Sequence, residues 1–238
     1  MTGNATSLRW VLFDMNGTLL DPGGIAETLG GGEDNDHIVR DAFAEALLHA
    51  MADTLSGAHR PLPEHLRAAL ERQLIANGRS TERLNAAMHK AARLDPFPDA
   101  AAAVDRLRGA GLHVAVLTNS ATDSAEASLS AAGLRETLDA VIGSDGPGVF
   151  KPHPDVYRHG LDQIGAAPQE ACMVAAHGWD LMGAKRVGLR TAWVARTERH
   201  LPATIPPPDV QGTDLAAVAE RIATQLIEST AVNDHRSG

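Results

Sequence analysis

Asp14 ends an apolar run at 8–13 and is followed by Asn16-Gly17-Thr18. A carboxylate there, with a hydroxyl four residues on, can serve as an oriented nucleophile or simply cap a turn. Three more polar clusters stand at comparable places. Thr118-Asn119-Ser120 follows the apolar run 112–117. Lys151 precedes Tyr157, the sole tyrosine. His177-Gly178-Trp179-Asp180 follows the run 172–176. In open α/β sheets ligands sit beyond the carboxyl ends of the strands, so parallel strands would gather all four clusters at one edge. Two acids, an ammonium, hydroxyls and amides then converge. That convergence is stronger evidence for a site than any one cluster.

The elements that position these clusters follow from periodicity. Short apolar runs bounded by turn residues read as buried strands at 8–13, 112–117, 140–142, 172–176 and 190–194. Helical patterns lie between them at 99–109, 124–133, 157–165 and 179–188. The alternation predicts an α/β fold, a Rossmann-like parallel sheet with helices on both faces. Residues 22–96 break it. After the loop Gly30-Gly31-Gly32 they read as helices at 37–55, 64–76 and 81–94, an inserted helical cap. The core domain is therefore expected at 1–21 and 97–238. The stretch IPPPD at 205–209 reads as a stiff linker and 214–229 as a terminal helix. A disordered tail is expected at 232–238.

Composition narrows the function. The chain has 238 residues, 44% hydrophobic and 21% charged, as expected of a soluble globular protein. Aromatics are 3%, so Ala, Leu and Val must fill the core. The net charge of −9, with no dense basic run, argues against nucleic-acid binding. Any anionic ligand then depends on local donors working against the overall field. Cys172, the single cysteine, lies in the apolar ACMVAA and reads as core; no intrachain disulfide can form. No apolar segment is long enough to span a bilayer and the N-terminus lacks a signal core, so a cytoplasmic location without membrane partners is expected.

Four segments, FDMNGTLLD, LTNSA, VFKPHPDVY and AAHGWDLMGAKRVGLRTAWV, resemble in order and spacing the four motifs of haloacid dehalogenase-like hydrolases. The resemblance covers nearly the whole chain. Within that superfamily K-P-x-x-x-x-Y and W-D-x-x-G-A make it most similar to the 2-haloacid dehalogenase type. The resemblance implies that Asp14 displaces halide from C2 and forms an ester, with Thr18 and Asn119 orienting Asp14 or the substrate. Thr118 would bind the substrate carboxylate. Lys151 would keep the nucleophile ionised, Tyr157 would touch Lys151 or Asp180, and Asp180 would activate or position the hydrolytic water. Trp179 would wall the pocket. His177 stands where these dehalogenases have Asn, and Asn16 where they have Tyr. Their cap arginine, in a W-R pair, has no match; Arg40 is the first substitute and Arg60 the second, with His37, His49 and His59 near in sequence.

The residues themselves separate this type from the superfamily's phosphatases. Those enzymes carry an acid two residues after the nucleophile to protonate the leaving alcohol, and an Asp that helps hold magnesium. Here the positions are Asn16 and Ala176. An amide is no general acid, and a hard divalent ion wants several oxygen ligands. Halide leaves without protonation, so dehalogenation without metal or cofactor is the reading, with a small haloacid and halide as partners. A homodimer is common among the proteins this chain resembles. A phosphatase with a degenerate metal site and a catalytically poor binding protein on the same fold are the competing readings.

Overall fold

The computed structural model describes residues 7–226. Strand β1 (Trp10–Phe13) is followed by the short β2 (Leu20–Asp21) and then by four helices: α1 (Gly23–Thr28), α2 (Glu33–Ser56), α3 (Leu62–Ala76) and α4 (Leu84–Ala91). The short β3 (Asp95–Pro96) leads back to alternating elements: α5 (Ala100–Gly109), β4 (His113–Leu117), α6 (Thr122–Ala131), β5 (Ala140–Ile142) and α7 (Pro154–Ile164). The chain continues through β6 (Ala171–Ala175), α8 (Gly178–Val187), β7 (Arg190–Val194), β8 (Val210–Gly212) and α9 (Leu215–Arg221).

Six strands form one parallel sheet in the order β5-β4-β1-β6-β7-β8. Its strands are apolar throughout because both faces are covered. Side chains alternate between those faces. Val11, Phe13, Val114, Val116, Cys172 and Val174 pack with Val104 and Leu107 of α5, Leu129 of α6 and Val218 of α9. Leu12, Ala115, Leu117 and Met173 point the other way, onto Val156 and Tyr157 of α7 and Ala184 of α8. Cys172 is fully buried, and burial pushes its thiol pKa up. The α/β architecture expected from the alternation is thus the one observed.

The path of the chain explains where a site forms. After β1 it moves to β4 and β5 on one side, then crosses to β6, β7 and β8 on the other. The carboxyl ends of β1, β4 and β6 therefore meet at a topological switch point.

The insertion is tied at its base. Leu20 pairs with Pro96 and Asp21 with Asp95 in a two-stranded antiparallel sheet, and the Phe97 N–H donates to the Leu19 carbonyl at 2.9 Å. Within the insertion α2 packs along α3, and α1 packs on α2 and α4. The helical layer is fastened to the sheet layer by two hydrogen bonds from unlike places. The Phe150 N–H donates to Thr54 Oγ1 at 3.0 Å and Ser128 Oγ donates to the Ala92 carbonyl at 3.0 Å.

Several elements differ from expectation. The stretch read as a linker and terminal helix contains β8, in which only Val210 is buried, too little apolar pattern to read as a strand. Asp214 then starts α9 by accepting from the Ala217 N–H at 2.7 Å, an N-cap. Regular helix stops at Arg221 and gives way to a wider π turn over Ile222–Leu226. The third cap helix spans 84–91 rather than 81–94, because Arg83 and Ala92 are its caps and residues 92–94 turn toward β3. Helix α1 and the pair β2–β3 escaped the pattern because they are short. The tail expected at 232–238 lies outside the described residues. Among the described residues no helix is long and apolar enough to cross a membrane.

Candidate active site

Lys151 sits at the centre of the site. It lies on the loop between β5 and α7, and its side chain is 0% exposed. Its ammonium donates to Asp14 Oδ1 at 2.9 Å, to Asp180 Oδ2 at 2.6 Å and to the Leu117 carbonyl at 2.9 Å. These three partners use all the donors an ammonium has. They come from the ends of β1 and β4 and from the first turn of α8, so the buried charge is paid back only when the whole sheet edge is assembled. Asn119 holds the lysine backbone: its Oδ1 accepts from the Lys151 N–H at 2.7 Å and its Nδ2 donates to the Lys151 carbonyl at 3.4 Å.

Asp14 is held from both sides. Thr18 Oγ1 donates to its Oδ2 at 3.0 Å, while that hydroxyl accepts from the Ala176 N–H at 3.0 Å. Thr18 thereby ties the loop after β1 to the end of β6. Burial works against the Asp14 charge, but Lys151 and then His177 overcome it and hold the carboxyl well below the usual carboxylate range. The group is ionised at any ordinary pH, as a nucleophile must be. Lys151 is also burdened by burial, yet the two carboxylates raise its pKa above the ordinary value.

Asp180 is fully buried, Lys151 takes its Oδ2, and the Tyr157 hydroxyl donates to its Oδ1 at 2.6 Å. Burial is the largest influence and pushes its pKa up, with the Asp14 charge adding to this against Lys151. Both Asp180 oxygens are engaged and it has no exposure, so its contacts are with Lys151 and Tyr157. Of the two contacts expected of Tyr157, the one found is with Asp180. Burial and the Asp180 charge push the phenol well above its ordinary pKa, so it acts only as a donor. Gly183 makes this possible: a Cβ there would lie 2.5 Å from the Tyr157 hydroxyl and 2.7 Å from Pro152 Cβ. This close approach gives a physical reason for the glycine in W-D-x-x-G-A.

Asp14 faces a cleft of about 970 Å³ between the sheet edge and the helical insertion. Asn16, Thr118, Asn119, His177 and Trp179 line it beside Asp14. Opposite them stands an apolar wall from α2 and α3, with Val39, Phe43, Leu47, Met51, Leu62 and Leu66. Thr118 is buried, and its Oγ1 accepts from the Ser120 N–H at 3.2 Å, which leaves its hydroxyl proton to donate elsewhere. Trp179 stacks on His177 at 5.5 Å and its ring lies 5.9 Å from the Lys151 ammonium.

The two candidate cap cations part company. Arg40 lines the cleft, with its side chain 54% exposed and its Nε 3.4 Å from Asp41 Oδ1. Arg60 lies beside Asp53 and His65 around a separate cavity and does not line this one. His49 lines that other cavity too, and His59 stacks on Phe150 at 4.5 Å. Arg196, which the sequence reading missed, also lines the cleft. Its guanidinium lies 3.6 Å over Phe97, donates from Nε to the Thr18 carbonyl at 3.0 Å and sits 2.7 Å from Asp99. It stands two residues past β7, where the strand-end rule that found the other clusters also applies.

The donor set does not suit a hard metal ion. Asp180 has no free oxygen, Asn16 offers an amide and Ala176 a methyl group. Among the described residues no group of three or more His, Cys, Asp or Glu is placed to hold a metal. What the arrangement offers is an ionised, oriented carboxylate beside a fixed buried cation, open to a cleft with apolar and cationic walls.

Comparison with known proteins agrees with this geometry. Residues 8–188 match the family model described as haloacid dehalogenase-like hydrolase. The chain is 36% identical over 200 residues to (S)-2-haloacid dehalogenase of Xanthobacter autotrophicus, covering 81% of this chain and 77% of that one. It is 30% identical over 200 residues to (S)-2-haloacid dehalogenase 4A of Burkholderia cepacia, covering 80% and 84%. The solved structure of the Xanthobacter autotrophicus L-2-haloacid dehalogenase with chloropropionic acid covalently bound superposes with a TM-score of 0.81 at 28% identity, over 92% of this chain and 99% of that one. A matched family model over most of the chain and a site built on the same four strand-end clusters lead to one assignment: this chain belongs to the haloacid dehalogenase-like hydrolases.

Proposed function

We propose that the protein is a hydrolytic dehalogenase of small 2-haloacids, working through a covalent ester on Asp14 and without metal. The observation that carries this reading is the Lys151 ammonium between Asp14 and Asp180, next to Asn16 and Ala176 where a phosphatase needs an acid and a metal ligand. The similarity to (S)-2-haloacid dehalogenases and to a structure with a covalently bound chloropropionic acid supports it.

In this mechanism an oxygen of Asp14 attacks C2 of the substrate from the side opposite the halide. The C–O bond forms as the C–X bond breaks, and the electron pair leaves with the halide. The transition state spreads the Asp14 charge toward the halide, so no proton donor is needed, which suits Asn16. Thr118, Arg40 and Arg196 supply donors for the substrate carboxylate against the net acidity of the chain. Asn119 and Trp179 line the cleft beside Asp14, Arg40 is the cap cation for halide and carboxylate, and the α2–α3 wall receives the alkyl group. Water then attacks the ester carbonyl of Asp14 and releases the 2-hydroxy acid. The helices of 22–96 act as the cap that closes over the substrate.

The test is halide release from chloro-, bromo- and fluoroacids with and without chelator, followed by one turnover in heavy-oxygen water. Release that survives EDTA, with the label on the peptide containing Asp14 and inversion at C2, is the expected result. Label in the product of the first turnover means direct attack by water and sinks the covalent mechanism. Turnover abolished by EDTA overturns the metal-free mechanism.

A further inference from the structure

An ester on Asp14 needs a base that can reach water beside its carbonyl carbon. Resting on the dehalogenase reading, each group around Asp14 can be asked whether it qualifies. Asp180 is fully buried with both oxygens engaged, and Lys151 has spent all three N–H groups. The Thr18 hydroxyl is committed between Asp14 and the Ala176 N–H. The Tyr157 hydroxyl is committed to Asp180. His177 is different. Its ring lines the cleft and is 28% exposed. Its Nδ1 lies 3.4 Å from Asp14 Oδ2, is itself buried, and makes no hydrogen bond among the described residues. Trp179 stacks on the ring, and Gly17 sits against it so closely that a Cβ there would lie 2.8 Å from His177 Cε1. A ring nitrogen is therefore held beside a carboxylate oxygen of the residue that would carry the ester.

We propose that His177 is a catalytic residue, the general base that deprotonates the water attacking the Asp14 ester and then the acid that protonates the departing alkoxide. As the water oxygen bonds to Cγ of Asp14, its proton passes to His177. The tetrahedral centre collapses, the bond from Cγ to the C2 oxygen breaks, and that oxygen takes the proton from His177. Asp14 keeps the water oxygen and loses the remaining proton to solvent, returning as carboxylate. One proton is released per turnover, as the overall hydrolysis requires.

Charge in the site times this step. The charged groups acting on the ring are Asp14 from the loop after β1, Glu198 from the loop after β7 and Asp180 from its own helix. Burial disfavours the imidazolium, but Asp14, then Glu198 and Asp180, outweigh it and raise the His177 pKa. When Asp14 becomes a neutral ester its share of that support vanishes. The neutral imidazole is then favoured at the step where a base is needed.

The test compares wild type with His177→Asn and His177→Gln, each checked for folding by thermal melting, using L-2-chloropropionate and rapid quench. Both variants should release about one chloride per chain in a burst and then turn over about 100-fold or more below wild type. Mass spectrometry should find the Asp14 peptide carrying the ester in the variants and not in the wild type. The rate of ester loss should rise with pH through a histidine ionisation in the wild type and lack that limb in the variants. Variants that turn over within about threefold of wild type, or that lose the chloride burst itself, overturn the proposal while leaving the dehalogenase reading intact. A wild type that releases no chloride overturns the reading and the proposal with it.

Discussion

Replacing Lys151 by Met leaves two buried carboxylates with no cation between them. Like charges roughly 5 Å apart at an effective dielectric of about 20 repel by about 3 kcal/mol, equivalent to about two pKa units. Burial acts in the same direction. The pair should therefore keep one proton at neutral pH, with Asp180, already pushed up by burial, as the main holder. Breaking a buried pair costs about 3–5 kcal/mol, against a total stability of about 5–15 kcal/mol for a typical domain, so the variant should remain folded but weakened. The sign of its pH dependence follows. The acid pair takes its proton in the folded state at a higher pH than in the unfolded chain, so folding is helped as pH falls. Urea denaturation should show the full loss at pH 8 and a loss about 2–3 kcal/mol smaller at pH 5. Halide release should fall by about 1000-fold, because the remaining carboxylate is neither fixed nor fully ionised. A destabilisation that does not change between pH 5 and 8, or near-normal turnover, would refute the argument.

Other perturbations follow from the same geometry. Tyr157→Phe removes a hydroxyl that bonds the buried Asp180 at 2.6 Å and should lower stability by about 1.5–3 kcal/mol in thermal melting; a loss near zero would mean that the bond is incidental. Gly17→Ala meets both a φ of +80° and the contact with His177, so it should cost about 1–2 kcal/mol of backbone strain. Its kcat should also drop about tenfold as the ring is displaced, and an unchanged kcat would show that the ring position is unimportant. Arg40→Met should raise KM for haloacids about tenfold, the worth of one charged contact, while Arg60→Met should leave KM unchanged; the reverse pattern would assign the cap cation to Arg60.

The sheet and the strand-end clusters were legible because a parallel strand buried on both faces announces itself as an apolar run with an abrupt polar end. Asp14, Thr118 and His177 were found that way. The pattern was silent on how the clusters engage one another. An aspartate in the first turn of a helix reads as a half-exposed dipole partner, yet Asp180 is fully buried because Tyr157 and Lys151 converge on it from other elements. Arg196 was missed although it stands at a strand end, since no motif drew notice there. The choice between Arg40 and Arg60 needed the fold of the insertion. Both are single cations among helical residues, and only the packing of α2 over the sheet edge brings Arg40 to the cleft. Strand β8 and the pair β2–β3 are too short to carry a period.

The clamp made by Leu20 with Pro96 and Asp21 with Asp95 gives the molecule a natural grafting point. Seen from the sheet, everything between these pairs is one loop whose ends are paired. Closing a loop costs little more as it lengthens, each doubling adding only about 0.6 kcal/mol. A different insertion could therefore be spliced onto the same base without shifting the register of β1 or moving Asp14. Asp14 with its ion pair and the apolar wall of the cleft lie on separate pieces of chain, and a recombinant carrying a relative's segment between residues 22 and 94 would keep the first while exchanging the second.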